Sequence, residues 1–114
     1  MPVTDTVYLF TRFGMGEGPA PLQQSLATKF LGLILESGEY PAKILFYTDG
    51  VRLACKGSPL VENLKKLAGA GTELILCKTC LDYFNLADQV ETGIVGGMPD
   101  IIEAMQRASK VISL

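Results

Sequence analysis

No histidine occurs anywhere in this chain of 114 residues, and no tryptophan. Without imidazole neither a Cys-His nor a Ser-His couple can form, so a nucleophile here has to be activated by a dipole, a lysine or a metal. Clustered cations are missing too. Ten Lys and Arg are scattered among twelve Asp and Glu, for a formal charge of −2. That argues against nucleic acid as the main partner, because phosphate neutralisation needs grouped basic side chains. No apolar stretch approaches the roughly 18 residues that span a bilayer, so no membrane partner is expected. The opening Met1-Pro2-Val3-Thr4-Asp5 has no charged segment leading into an apolar run, which reads as no signal peptide. Three cysteines is an odd count, seldom seen in a secreted disulfide framework. A cytoplasmic protein with reduced thiols is the expectation.

What the chain does contain is a regular alternation of elements. Hydrophobic residues make up 48% of it, and the length suits one domain with a real core. Thr6-Val7-Tyr8-Leu9-Phe10 is a β-rich apolar run, followed by a Gly/Pro segment over residues 14–21. Leu22, Leu26, Phe30, Leu33 and Ile34 recur at helical spacing up to Ser37-Gly38, a good helix stop. A second buried strand, residues 43–47, closes on the turn signal Asp49-Gly50. Ser58-Pro59 then reads as N-cap and first residue of a helix ending near Gly69. Residues 72–76 form a third apolar run, and residues 92–95 a fourth strand. Pro99 starts a last helix with Ile101, Ile102, Met105 and Ala108 inward, and residues 111–114 return as a terminal strand. Strands that are apolar throughout and alternate with helices predict an α/β protein, a three-layer α/β/α sandwich on a parallel sheet.

In open sheets of this kind, sites lie beyond the carboxyl ends of the strands. There the most informative segment is Cys77-Lys78-Thr79-Cys80, Cys77 ending a strand and Cys80 at or just before the first helical turn. Backbone N–H groups and a helix dipole at such a junction favour thiolate, and Lys78 adds to that while Asp82 opposes it. Three other readings of the cysteines stand beside this one. They suit ordinary buried thiols, or a thioredoxin-like CxxC redox pair without the aromatic-Cys-Gly-Pro surroundings. Zinc would need Cys55 as third ligand and a carboxylate such as Asp49. The loop Gly14-Met15-Gly16-Glu17-Gly18 lacks dinucleotide spacing and reads as a flexible turn, with N–H groups that suit a small anion. The helix over residues 22–35 is apolar around much of its circumference, which suits core or an oligomer contact.

Residues 41–53, Pro-Ala-Lys-Ile-Leu-Phe-Tyr-Thr-Asp-Gly-Val-Arg-Leu, with Gly57-Ser58-Pro59-Leu60, resemble the DsrE/DsrF-like sulfur-relay proteins. Within that family the segment Cys77-Lys78-Thr79-Cys80-Leu81-Asp82-Tyr83 is most similar to the Cys-Gly-Thr-Cys-Leu-Asp-Tyr of YedF-type carboxy-terminal domains associated with selenium metabolism. Lys78 stands at the motif glycine, and Thr48 and Gly97 stand where that pattern usually has Asn. The resemblance runs from about Val7 to Leu114. It implies a five-stranded, mainly parallel sheet, a homo-oligomer, and a cysteine persulfide passed between sulfur donor and acceptor proteins, with Cys77 at the position that carries it. Cys80 matches the second motif cysteine, and an internal disulfide with Cys77 is its expected role. The candidate catalytic residues are therefore Cys77 and Cys80, with Gly14, Gly16, Asp49, Lys78, Thr79 and Met98 as candidate binding positions, and no metal or cofactor. The function expected is a small sulfur or selenium carrier. The alternatives are a noncatalytic oligomeric module holding a small anion or metal, and a CxxC thiol-redox protein. On the carrier reading, Cys77 is expected to be the most reactive thiol.

Overall fold

A computed structural model describes residues 5–114, so the reading of residues 1–4 as free of a signal peptide lies outside the described residues. The elements follow one another as β1 (Thr6–Phe10), α1 (Ala20–Ser37), β2 (Lys43–Phe46), a 3-10 segment (Thr48–Ala54), α2 (Val61–Gly69), β3 (Glu73–Cys77), α3 (Lys78–Tyr83), a 3-10 turn (Ala87–Gln89), β4 (Ile94–Gly96), α4 (Met98–Arg107) and β5 (Lys110–Ser113). The five strands lie in the order β4-β3-β2-β1-β5, and every pairing is parallel. The expected α/β/α architecture is thus the observed one. Buried on both faces, β1, β2 and β3 need no polar alternation, which is why they read as apolar runs.

The register shows how the layers meet. Tyr8, Ile44 and Leu74 share a row across β1, β2 and β3, and Leu9, Leu45 and Ile75 share the next. Tyr8 packs its ring on Phe30 of α1, 5.4 Å between centroids, so α1 covers the first row. α2 lies beside α1. On the other side a Cβ at Gly96 would meet Ile75 and Asp100, so α4 covers the second row. Right-handed crossovers account for this division: three steps in one direction along the sheet, then one long return from β4 to β5. Phe10 and Phe46 stack at 5.8 Å at the carboxyl ends of β1 and β2, both fully buried.

Some local expectations are corrected. α1 starts at Ala20, ahead of Leu22, with Pro21 in its first turn, where a missing N–H costs nothing. Its carboxyl end is the expected one, with Gly38 left-handed at φ 74°. The Asp49-Gly50 turn is the beginning of the 3-10 segment. α2 begins two residues beyond Pro59, and the Ser58 hydroxyl accepts the Leu60 N–H at 3.1 Å. In α4, Ile101 and Ala104 point inward while Ile102 is 43% exposed, because it lies about 100° around the helix from Ile101. α1 buries Ala27 and Leu31, and its opposite face carries Leu22, Leu26 and Leu33, 45–59% exposed. Among the described residues no helix is long and apolar enough to cross a membrane.

Candidate functional site

The carboxyl edge of the sheet is built from the ends of β2, β3 and β4. Cys77 is the last residue of β3 and stands opposite Gly96 of β4 in the register. α3 begins at the next residue, so Cys80 is three residues into it. This places Cys77 at a strand end and Cys80 in the first helical turn, as the sequence predicts. Their surroundings differ sharply. Cys77 is 1% exposed, whereas Cys80 is only partly covered. Both thiols are free, and Cys77 lies near enough to be one of the groups that push the Cys80 pKa up.

Cys80 has a second neighbour that the sequence did not announce. The backbone N–H of Thr48, just beyond β2, donates to Cys80 Sγ at 3.0 Å. Thr48 adopts φ 50°, the left-handed region, which a β-branched residue occupies only when its surroundings impose it. Two bonds hold the backbone there: Tyr47 N–H donates to the Phe10 carbonyl at 3.2 Å, and Gly50 N–H to the Tyr47 carbonyl at 3.0 Å. Burial pushes the Cys80 thiol above its ordinary pKa; the Thr48 N–H opposes this, and the hydrogen bond and charge of Cys77 add to the rise.

The charges nearby are largely committed to one another. Lys78 donates to Asp82 at 2.7 Å, which raises the lysine's own pKa and turns its ammonium toward the carboxylate. Asp49 accepts from Arg52 Nε at 3.0 Å, and the Arg52 guanidinium lies 4.3 Å from the centre of the Phe84 ring. That cation–π contact ties the 3-10 segment to the end of α3, a link worth about 0.5–1 kcal/mol at a partly exposed position. Thr79 is exposed on α3, and Met98, 44% exposed, opens α4 two residues after Gly96.

The glycine loop is directed elsewhere. Met15 N–H donates to the Gln23 carbonyl at 3.0 Å, and Gln23 Nε2 donates to the Gly16 carbonyl at 3.0 Å. A Cβ on Gly14 would lie 2.5 Å from that of Gln23, so Gly14 serves the packing of the loop on α1. Cys55 is also separate from the pair. Its thiol is buried and donates to the Val51 carbonyl at 3.2 Å, and burial raises its pKa despite the pull of Arg52. Among the described residues no three His, Cys, Asp or Glu side chains converge as a metal cluster, so the Cys55–Asp49–CxxC grouping is not assembled. A groove of about 380 Å³ between the sheet and α4 is lined by Lys43, Glu73, Ile75, Ile94, Asp100 and Ala104, and neither thiol lines it. The chemistry available at the edge is that of two free thiols, three residues apart, with a backbone donor on one of them.

Arg52 and Phe84 were not among the residues singled out from sequence, and Thr48 was noted only as a departure from the family pattern. The signal for Thr48 and Arg52 was their place in the segment leaving β2 toward the site edge.

The family model described as "DsrE/DsrF-like family" matches residues 7–114. None of the curated proteins matches the chain significantly. The crystal structure of the ychN protein from E. coli superposes with a TM-score of 0.70 at 17% identity, covering 97% of this chain and 99% of that one. A protein of unknown function from Methanobacterium thermoautotrophicum, MTH1491, superposes with a TM-score of 0.66 at 17% identity, covering 96% and 97%. At these identities the two structures speak for the fold.

Proposed function

This chain belongs to the DsrE/DsrF-like family, and we propose that it is a sulfur-relay protein that carries sulfur, or selenium, as a persulfide-type adduct on the Cys77–Cys80 thiol pair. The observation that carries this reading is the pairing of two free thiols at the carboxyl edge of the sheet, Cys77 ending β3 and Cys80 in the first turn of α3, the latter partly exposed. Persulfide transfer moves a sulfur atom from thiolate to thiolate and needs no histidine base. It also needs no large cavity, because the cargo is one atom held covalently. The partners are then donor and acceptor proteins in a reducing compartment, the cytoplasm. The Cys-Lys-Thr-Cys-Leu-Asp-Tyr segment favours the YedF-type branch, and the exposed leucine face of α1 favours a homo-oligomer.

A second reading is supported by the same pairing: two free thiols in a CxxC at a strand-to-helix junction suit reversible disulfide formation. Mass spectrometry of reduced protein treated with glutathione persulfide separates the two. Gain of one sulfur atom, removable by dithiothreitol and passed on to a second thiol, is the expected result. Loss of two hydrogens without retained sulfur would replace the relay by the redox pair.

A further inference from the structure

We infer that Cys80, and not the buried Cys77, is the sulfur-receiving residue, and that the Thr48 backbone N–H is a catalytic group that stabilises negative charge on its sulfur. This deepens the relay reading above and rests on it. In a parallel sheet the last strand residue is covered by its neighbours, and Cys77 beside Gly96 is 1% exposed. Thiol exchange requires a nucleophile, the sulfur attacked and a leaving sulfur to come close together, so the receiving thiol has to be reachable by another protein. Cys80 is the more open of the pair and sits one helical turn before Tyr83, which is 84% exposed.

The reaction balances without an added oxidant. Cys80 loses its proton to water, and its thiolate attacks the outer sulfur of a donor persulfide. A bond forms between Cys80 Sγ and that sulfur; the donor's own S–S bond breaks, and the donor thiolate leaves with the electron pair. Delivery is the reverse: an acceptor thiolate attacks the outer sulfur, and the Cys80 thiolate is expelled. In both steps Cys80 Sγ bears the charge, once as nucleophile and once as leaving group. The Thr48 N–H, 3.0 Å away, stabilises it in both. The turn that carries this N–H is held in place, with Thr48 at φ 50° and the Tyr47 and Gly50 amides bonded to the Phe10 and Tyr47 carbonyls. The raised Cys80 pKa makes such a donor more consequential, because burial and Cys77 both oppose the thiolate.

Two measurements on the full chain test this. Glutathione persulfide loading, iodoacetamide trapping and peptide mapping should place the extra sulfur on Cys80 in the wild-type protein and in Cys77→Ser. Cys80→Ser should lose it. In 15N–1H spectra over pH, the Thr48 amide should shift with the midpoint of Cys80 alkylation, and this shift should vanish in Cys80→Ser. Sulfur mapped to Cys77, and retained in Cys80→Ser, would overturn the assignment while leaving the relay intact. Sulfur on neither residue would overturn the relay itself. A Thr48 amide indifferent to Cys80 ionisation would overturn the backbone donor.

Discussion

Gly50→Ala should cost this protein about 3 kcal/mol, at the upper end of what overpacking a tight site produces. Gly50 has no unusual backbone angle; what requires glycine there is space. A Cβ would stand 2.0 Å from the Phe10 carbonyl oxygen and 2.6 Å from its carbon, and both neighbours are backbone atoms. They cannot rotate away as a side chain would, because β1 is paired on both sides, with β2 and β5. Relief therefore requires the 3-10 segment to lift by more than an ångström. The Tyr47–Phe10 and Gly50–Tyr47 hydrogen bonds would loosen with it, as would the donor on Cys80. The same change at Gly32, inside α1 with nothing within 4 Å of a new Cβ, should instead stabilise by roughly 0.5–1 kcal/mol through helix propensity. Urea unfolding followed by circular dichroism reads both. With a slope near 2 kcal/mol per molar, the Gly50→Ala midpoint should fall by about 1.5 M while the Gly32→Ala midpoint rises slightly. A Gly50→Ala loss of under about 1 kcal/mol, or indistinguishable effects at the two glycines, would refute the close-approach argument.

Stability should fall in alkali. Burial raises the pKa of Cys55, Cys80 and Tyr8, so above their ordinary values, about 8.5 for a thiol and about 10 for a tyrosine, the folded state holds protons that the unfolded chain has released. This contribution is complete below those values and is lost as pH climbs through the folded-state values; urea midpoints from pH 7 to 10.5 should decline, less steeply in Cys55→Ala, and a flat profile would refute it. The exposed Leu22, Leu26 and Leu33 face of α1 should be the homo-oligomer contact. Sedimentation should show an oligomer at tens of micromolar that Leu26→Lys with Leu33→Glu converts to a folded monomer, and an unchanged oligomer would place the contact elsewhere.

The layers of this protein were legible because apolar runs and helical spacing report burial along the chain. β1 was read at its observed bounds, and the two thinnest strands, β4 and β5, were found within one or two residues. The site was legible only as chemistry. The CxxC spacing and the strand-to-helix junction were evident, but which sulfur is covered depends on segments far away in sequence. Gly96 and α4 come against β3 only through the return crossover, and no local pattern of residues 73–80 encodes that cover. The inward assignment of Ile102 failed for a related reason: one apolar stripe on a ten-residue helix allows a rotation of about 100° between competing faces. Thr48 illustrates the opposite limit. Its residue type disfavours the left-handed conformation it adopts, so local propensity pointed away from the observed backbone.

That conflict between residue and backbone is informative about the edge as a whole. Three features fix the 3-10 segment in place: the close approach of Gly50 to the end of β1, the left-handed turn at Thr48, and the Arg52 guanidinium over Phe84. What they share is the placement of one peptide N–H against one partly open sulfur. A left-handed β-branched residue costs on the order of 1–3 kcal/mol, a notable sum for a domain of marginal stability. A chain without histidine has few ways to favour a thiolate, and Lys78, the nearest cation in sequence, is bound to Asp82. A rigid backbone donor fills that need and brings no charge of its own, so it stabilises the sulfur anion without attracting Asp82 or the other carboxylates of an acidic protein. On the relay proposal, the left-handed turn at Thr48 acquires a use beyond folding, because it belongs to the segment whose N–H faces Cys80.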